Sequence, residues 1–391
     1  MGLRSVLRKP GIIFGGFLGL ATLSIMNSSY TNVLDEIKSE LVLNYTWAGA
    51  LMSGYFVGYT LGQIPWGILS DRYGSRRAMS LSILGISLST LLFGYSSNIM
   101  VAVVFRFLSG LLGAGIFVPG VKLVSSWFNS EERGTALGLL NIGGSSGMIA
   151  AAWIVPLLSV SMSWRGSLKV IGLFGVFSAL ISFYFLKDRE GETGRKMNLR
   201  DLPVRVPSFW YLSFVQFIRL GAYYTFIAWM PLVLREEYGL SVVATSGAMS
   251  LLNFAGILSN PAGGIVADRF GEKRVLMVGF FSLMVFILLF TFGLGNPVLY
   301  VLIFLLGWVI NFTRSPAFSI IPGLFGAETA GSISGINNTF ASLGALVLPF
   351  LLGYVRDTTS SYTVGWYAVA GLSLLATVLM YFVATPNPKN V

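Results

Sequence analysis

Long apolar stretches broken by short polar ones run through the whole chain. They lie near residues 11–33, 46–70, 78–98, 99–123, 134–159 and 166–186, and again near 209–234, 241–267, 275–295, 298–323, 331–354 and 364–385. A helix crossing a bilayer needs about 20 apolar residues. The pattern therefore predicts an all-α integral membrane protein with 12 transmembrane helices, six on each side of a polar stretch at 187–208. We expect an N-terminal six-helix bundle at 1–186, a cytoplasmic linker at 187–208 and a C-terminal six-helix bundle at 209–391. The linker carries Pro203 and Pro207 and many charges, as suits a tether joining two units that move. The apolar run from Gly11 is long enough to span, so it reads as the first helix and not as a cleaved signal.

The two halves repeat each other. Gly67-Ile-Leu-Ser-Asp71-Arg72-Tyr-Gly74-Ser-Arg76-Arg77 returns as Gly264-Ile-Val-Ala-Asp268-Arg269-Phe-Gly271-Glu-Lys273-Arg274, at an offset of 197 throughout (264 − 67, 268 − 71, 274 − 77). The same offset aligns Gly134, Gly138, Asn141 and Gly147 with Gly331, Gly335, Asn338 and Gly344. A charged loop repeated at half-length in an apolar chain points to a transporter built from duplicated bundles.

Composition fits a membrane protein. Of 391 residues 54% are hydrophobic and 11% charged, where a soluble domain carries about 25% charged residues. A net charge of +10 would suggest nucleic acid in a soluble protein, but here the basic residues sit in short loops. With the N-terminus placed inside, eighteen Lys and Arg fall on the cytoplasmic side and five on the other. That bias puts both termini in the cytoplasm. There is no Cys and no His, which excludes thiol chemistry and removes the commonest metal ligand. No metal, no cofactor and no nucleic-acid partner are expected. No nucleophile–base set or phosphate loop is visible, so an enzyme is not expected either.

The repeated loops resemble the signature of the major facilitator superfamily, found between its second and third helices and again between its eighth and ninth. Ser75 and Glu272 depart from that pattern where a basic residue is common. The resemblance covers the whole chain in helix count, loop positions and linker. It implies that Asp71 meets the start of the eleventh helix near Gly331, and Asp268 the start of the fifth near Gly134. Asp71, Arg72, Arg77, Asp268, Arg269 and Arg274 would then be gating residues; a local turn role is the alternative. Arg106-Phe-Leu-Ser-Gly110-Leu-Leu-Gly113-Ala-Gly115 resembles the family's fourth-helix motif. Arg106 would serve gating, or structure through backbone carbonyls of the first helix. The family's drug-export motif requires a Gly-Pro in helix five, where Gly143-Gly144-Ser-Ser-Gly147 has no proline.

In such a fold cargo binds at the bilayer midplane. Arg219 and Arg314 break the repeat, aligning with Thr22 and Phe117. At about 1.5 Å per residue both lie some 4–6 Å to the cytoplasmic side of the middle. Paired guanidinium groups suit a carboxylate or phosphate. Asn27, Tyr30, Tyr55, Tyr223, Tyr224, Trp229, Asn311, Asn141 and Asn338 are further candidates for the substrate site, with helix packing as the alternative for each. Trp47, Trp127, Trp164 and Trp210 read as interface anchors.

Every Asp and Glu falls in a loop or at a helix end. A proton-driven exchanger of drugs normally needs a buried acid. We therefore expect a transporter of a small organic anion, in the plasma membrane and monomeric, with protons or a counter-anion as coupling partner. Asp35 and Glu36 are the candidate proton sites. The alternatives are an exporter of lipophilic drugs or lipids, and a transporter-like nutrient receptor.

Overall fold

The computed structural model describes residues 9–128, 130–189, 203, 205–293, 295–325 and 327–384. The expected linker falls largely on 190–202 and 204, outside the described residues. The chain divides into two compact units, one of residues 1–43 and 50–195, the other of residues 44–49 and 196–391.

The first unit runs through α1 (Pro10–Ser28), a 3-10 turn (Tyr30–Val33), α2 (Leu34–Glu40), α3 (Tyr45–Tyr73), α4 (Ser75–Phe93), α5 (Ile99–Gly113), α6 (Phe117–Trp127) and α7 (Ser130–Phe185). The second runs through α8 (Pro207–Glu236), α9 (Val242–Phe270), α10 (Glu272–Phe290), α11 (Asn296–Phe312), α12 (Arg314–Phe325), α13 (Ala327–Thr359) and α14 (Tyr362–Phe382). Among the described residues each of the twelve expected segments is helical over most of its length. α7 covers two of them and bends at Met162 and Ser163, whose φ of 63° breaks the helix. By length and composition nine segments of the described residues could each cross a membrane. α3 and α4 fall short of that measure. α4 carries Arg76 and Arg77 in its first turn, and its Ser87, Ser89 and Thr90 donate to the carbonyls of Ile83, Gly85 and Ile86. A hydroxyl bonded in this way is no obstacle in lipid.

The repeat governs local structure in both units. Gly74 and Gly271 turn the chain with φ of 93° and 85°, a conformation open to glycine and strained for other residues. The basic residue two positions on then closes the last helix of its own unit. Arg76 Nε donates to the Phe183 carbonyl at 2.9 Å. Lys273 Nζ donates to Tyr381 and Val383 at 2.8 and 2.6 Å. A cation at a helix C-terminus satisfies carbonyls that lack intrahelical partners. These two residues are structural clasps that the motif reading did not single out.

Close packing repeats as well. A methyl group on Gly147 would meet the Ala21 carbonyl at 2.3 Å, and one on Gly344 the Phe217 carbonyl at 1.9 Å. α7 thus packs tightly on α1, and α13 on α8, through the same aligned glycine. Gly110 in α5 approaches the Tyr55 carbonyl of α3 in the same manner, at 1.8 Å.

The first turn of α3 belongs to the second unit. Asp357, near the end of α13, accepts from the Tyr45 and Thr46 amides at 2.9 and 2.7 Å, as a carboxylate capping a helix start does. Trp164 corrects an expectation. It is 1% exposed, lies against Phe93, and donates to Glu40, so it is a core residue. Trp47 and Trp210 are exposed, at 41% and 48%, as interface anchors would be.

Candidate anion-binding site

Spans four and ten each carry a local irregularity, across which backbone hydrogen bonds continue from Gly120 to Ile116 and from Ala317 to Thr313. The first lies between α5 and α6 and the second between α11 and α12. The residues that follow, Phe117 and Arg314, differ by 197, so the irregularity belongs to the repeat. In the second unit the residue that follows the irregularity is an arginine, Arg314.

Arg219 lies in the middle of α8, buried at 5% exposure. Its Nε donates to Gln216 Oε1 at 2.6 Å. Its guanidinium stands 5.8 Å from the Phe318 ring of α12. Arg314, Tyr223 and Tyr224 lie within electrostatic reach of it. Among the described residues neither arginine forms an ion pair. Two guanidinium groups within electrostatic reach of each other, with no carboxylate paired to either among the described residues, are chemically suited to an anion.

Three neighbours went unnoticed in the sequence. Gln216 Nε2 donates to the Ala317 carbonyl of α12 at 3.4 Å. Ser213 donates to Asn337 Oδ1 of α13 at 2.7 Å. Asn337 is fully buried, and its Nδ2 has no partner among the described residues. Ser213, Gln216 and Arg219 recur every three residues, a polar stripe on one helix face that was there to be read.

The other candidates are held differently. Trp229 is fully buried and donates to the Pro349 carbonyl at 2.9 Å. Asn311 and Asn141 donate back to their own helices, at Gly307 and Leu137, by 2.9 and 2.8 Å. Asn338 is half-buried, and its carbonyl accepts from Ser342 at 3.0 Å. The cross-helix amide in α13 is its neighbour Asn337.

In the first unit Arg106 organises a second buried polar cluster. It is 2% exposed. Nε donates to the Leu51 carbonyl and Nη2 to Asn27 Oδ1, both at 3.1 Å. The Tyr30 and Tyr55 rings stand 4.2 and 4.8 Å from its guanidinium. The backbone carbonyl that Arg106 reaches is on α3, where the first helix was expected; the first helix contributes Asn27 instead.

In the signature loops, Asp71 pairs with Lys122 of α6 at 2.5 Å, both partly exposed. Arg72 lies 5.3 Å from the Tyr73 ring. Arg77, Asp268, Arg269 and Arg274 are exposed. The regions near Gly331 and Gly134 that the carboxylates were expected to meet lie outside the residues whose side chains are described. Among the described residues no group of three metal-ligating side chains assembles.

The family model described as Major Facilitator Superfamily matches residues 13–261 and 212–391. The chain belongs to this superfamily. It is a multi-pass membrane transporter and not an enzyme. Similar proteins include the hexuronate transporter of Bacillus subtilis (strain 168), 25% identical over 88% of this chain and 86% of its own length. The probable L-galactonate transporter of Escherichia coli (strain K12) is 26% identical over 96% and 87%. The probable nitrate/nitrite antiporter NarK1 of Thermus thermophilus is 24% identical over 88% and 83%. Among solved structures, a bacterial homolog of the human lysosomal transporter Spinster, in an inward-facing and occupied conformation, superposes with a TM-score of 0.73. It shares 14% identity over 97% of each chain, which supports the fold alone.

Proposed function

We propose that this superfamily member carries a small carboxylate-bearing sugar acid across the cytoplasmic membrane by alternating access, with Arg219 and Arg314 holding the carboxylate. The observation that carries this reading is a buried arginine beside a second one, with no ion pair to either among the described residues. Tyr223 and Tyr224 supply hydroxyls and ring faces to the same place. Relatives named for hexuronate, L-galactonate and galactarate/D-glucarate all handle carboxylates, which agrees with the chemistry of two guanidinium groups.

Moving one negative charge into a cell against the membrane potential costs about 2.3 kcal/mol per 100 mV. Exchange for another anion, or a proton taken up with the cargo, offsets that cost. The monomer carries the whole pathway in this reading, and both termini are cytoplasmic.

The test is uptake into liposomes of D-glucuronate, L-galactonate and D-glucarate, with neutral hexoses and lipophilic cations as comparison. Saturable uptake of the acids alone is expected. It should fall at least about tenfold in Arg219→Ala and in Arg314→Ala, the loss that follows removal of one charged hydrogen-bond partner. Unchanged uptake in both variants would overturn the assignment.

A further inference from the structure

We propose that Gln216 is the positioning residue that sets both the aim and the net charge of the arginine pair, a step that rests on the anion-site reading above. Its amide works at both ends. Oε1 receives Arg219 Nε at 2.6 Å, and Nε2 donates to the Ala317 carbonyl at 3.4 Å. Gln216 precedes Arg219 by three residues on α8, and Ala317 follows Arg314 by three on α12, so each end lies one turn from an arginine. One buried side chain, 1% exposed, therefore ties together the helices that carry the two charges.

The chemistry of that tie decides what the site binds. By occupying Nε it directs the opposite edge of the guanidinium, which carries the terminal nitrogens, away from Gln216. That edge offers the parallel donors that suit a carboxylate. A buried arginine is usually settled by an acid, which would cancel its charge. An amide accepts the hydrogen bond without cancelling anything, so Arg219 keeps its full charge for the cargo. The amide oxygen of Gln216, one turn earlier on α8, accepts from Arg219. The polar stripe continues to Ser213 and Asn337, which fix the same helix against α13.

A structural amide and a charge-setting amide respond in opposite order to two substitutions. Gln216→Glu keeps shape and acceptor but adds a negative charge beside Arg219. Gln216→Met keeps shape and neutrality but removes the acceptor. D-Glucuronate uptake into liposomes, resolved into KM and Vmax, separates them. We expect KM to rise at least about thirtyfold in Gln216→Glu, as for a site whose charge has been cancelled. In Gln216→Met it should rise about tenfold, the worth of one hydrogen bond to a charged group. Vmax should change little in either, and the thermal stabilisation given by D-glucuronate should shrink in the same order. If Gln216→Glu transports like the wild type, or better than Gln216→Met, while Arg219→Ala has lost uptake, the role given to Gln216 falls and the anion site stands. If Arg219→Ala transports normally, or wild-type protein takes up no D-glucuronate, the underlying reading falls and this one with it.

Discussion

At the scale of single residues, a charge inside the membrane is expensive unless something offsets it, and the two buried arginines are settled in different ways. Arg106 is satisfied by a backbone carbonyl, an asparagine and two tyrosine rings. Arg219 has one neutral partner and a neighbouring cation. The same accounting yields a pH prediction outside the spans. The Glu237 carboxyl, just past the end of α8, is raised above its ordinary range by desolvation, with Arg356 pulling it down and Glu236 pushing it up. A carboxyl whose folded pKa is raised favours the protonated fold, so its contribution to stability is present at low pH and lost as pH rises through that window. Glu237→Gln should therefore melt higher than the wild type at pH 7, by a small margin because the side chain is exposed. The difference should vanish near pH 3, below the ordinary carboxyl pKa, where the carboxyl is protonated in both states; equal melting at pH 7 and at pH 3 would refute it. That arginines mattered was legible from the sequence, because intramembrane charges are rare. What each arginine touches was not, because hydrogen-bond partners come from other helices.

At the scale of elements, glycine sorts into two uses that one sequence pattern does not distinguish. Gly138 and Gly335 recur at the repeat offset and face open space, whereas Gly147 and Gly344 meet the backbone of a neighbouring helix. An alanine at Gly344 must push α13 from α8. It should destabilise the protein by about 1–3 kcal/mol, as overpacking does. An alanine at Gly335 should be neutral or stabilising by up to about 1 kcal/mol, through helix propensity alone. Melting of the two variants in detergent checks this, and equal losses would contradict it. The irregularities at Thr313 and at 114–116 are also element-scale facts, invisible in the apolar pattern because both sides of each are apolar.

At the scale of the whole molecule, the asymmetric distribution of Lys and Arg makes a topological prediction. The chain contains no Cys, so a single introduced cysteine reports on its own position. Ser97→Cys, in the exposed turn between α4 and α5, should react with a membrane-impermeant maleimide added outside intact cells. Lys196→Cys in the linker should react only after the membrane is opened. The reverse pattern would invert the orientation. Apolar periodicity, the 197-residue offset and loop charge together determined the all-α class, the two related halves and the loops that turn on Gly74 and Gly271. These are set by the bilayer and by local backbone conformation, which act on short stretches of chain. The partner of each polar side chain was decided by the tertiary structure: Gln216 and not an acid beside Arg219, Asn337 and not Asn338 across to α8, Lys122 beside Asp71. A side chain in a membrane interior is satisfied by whichever group a packed neighbour brings within about 3 Å, and sequence spacing does not encode that distance.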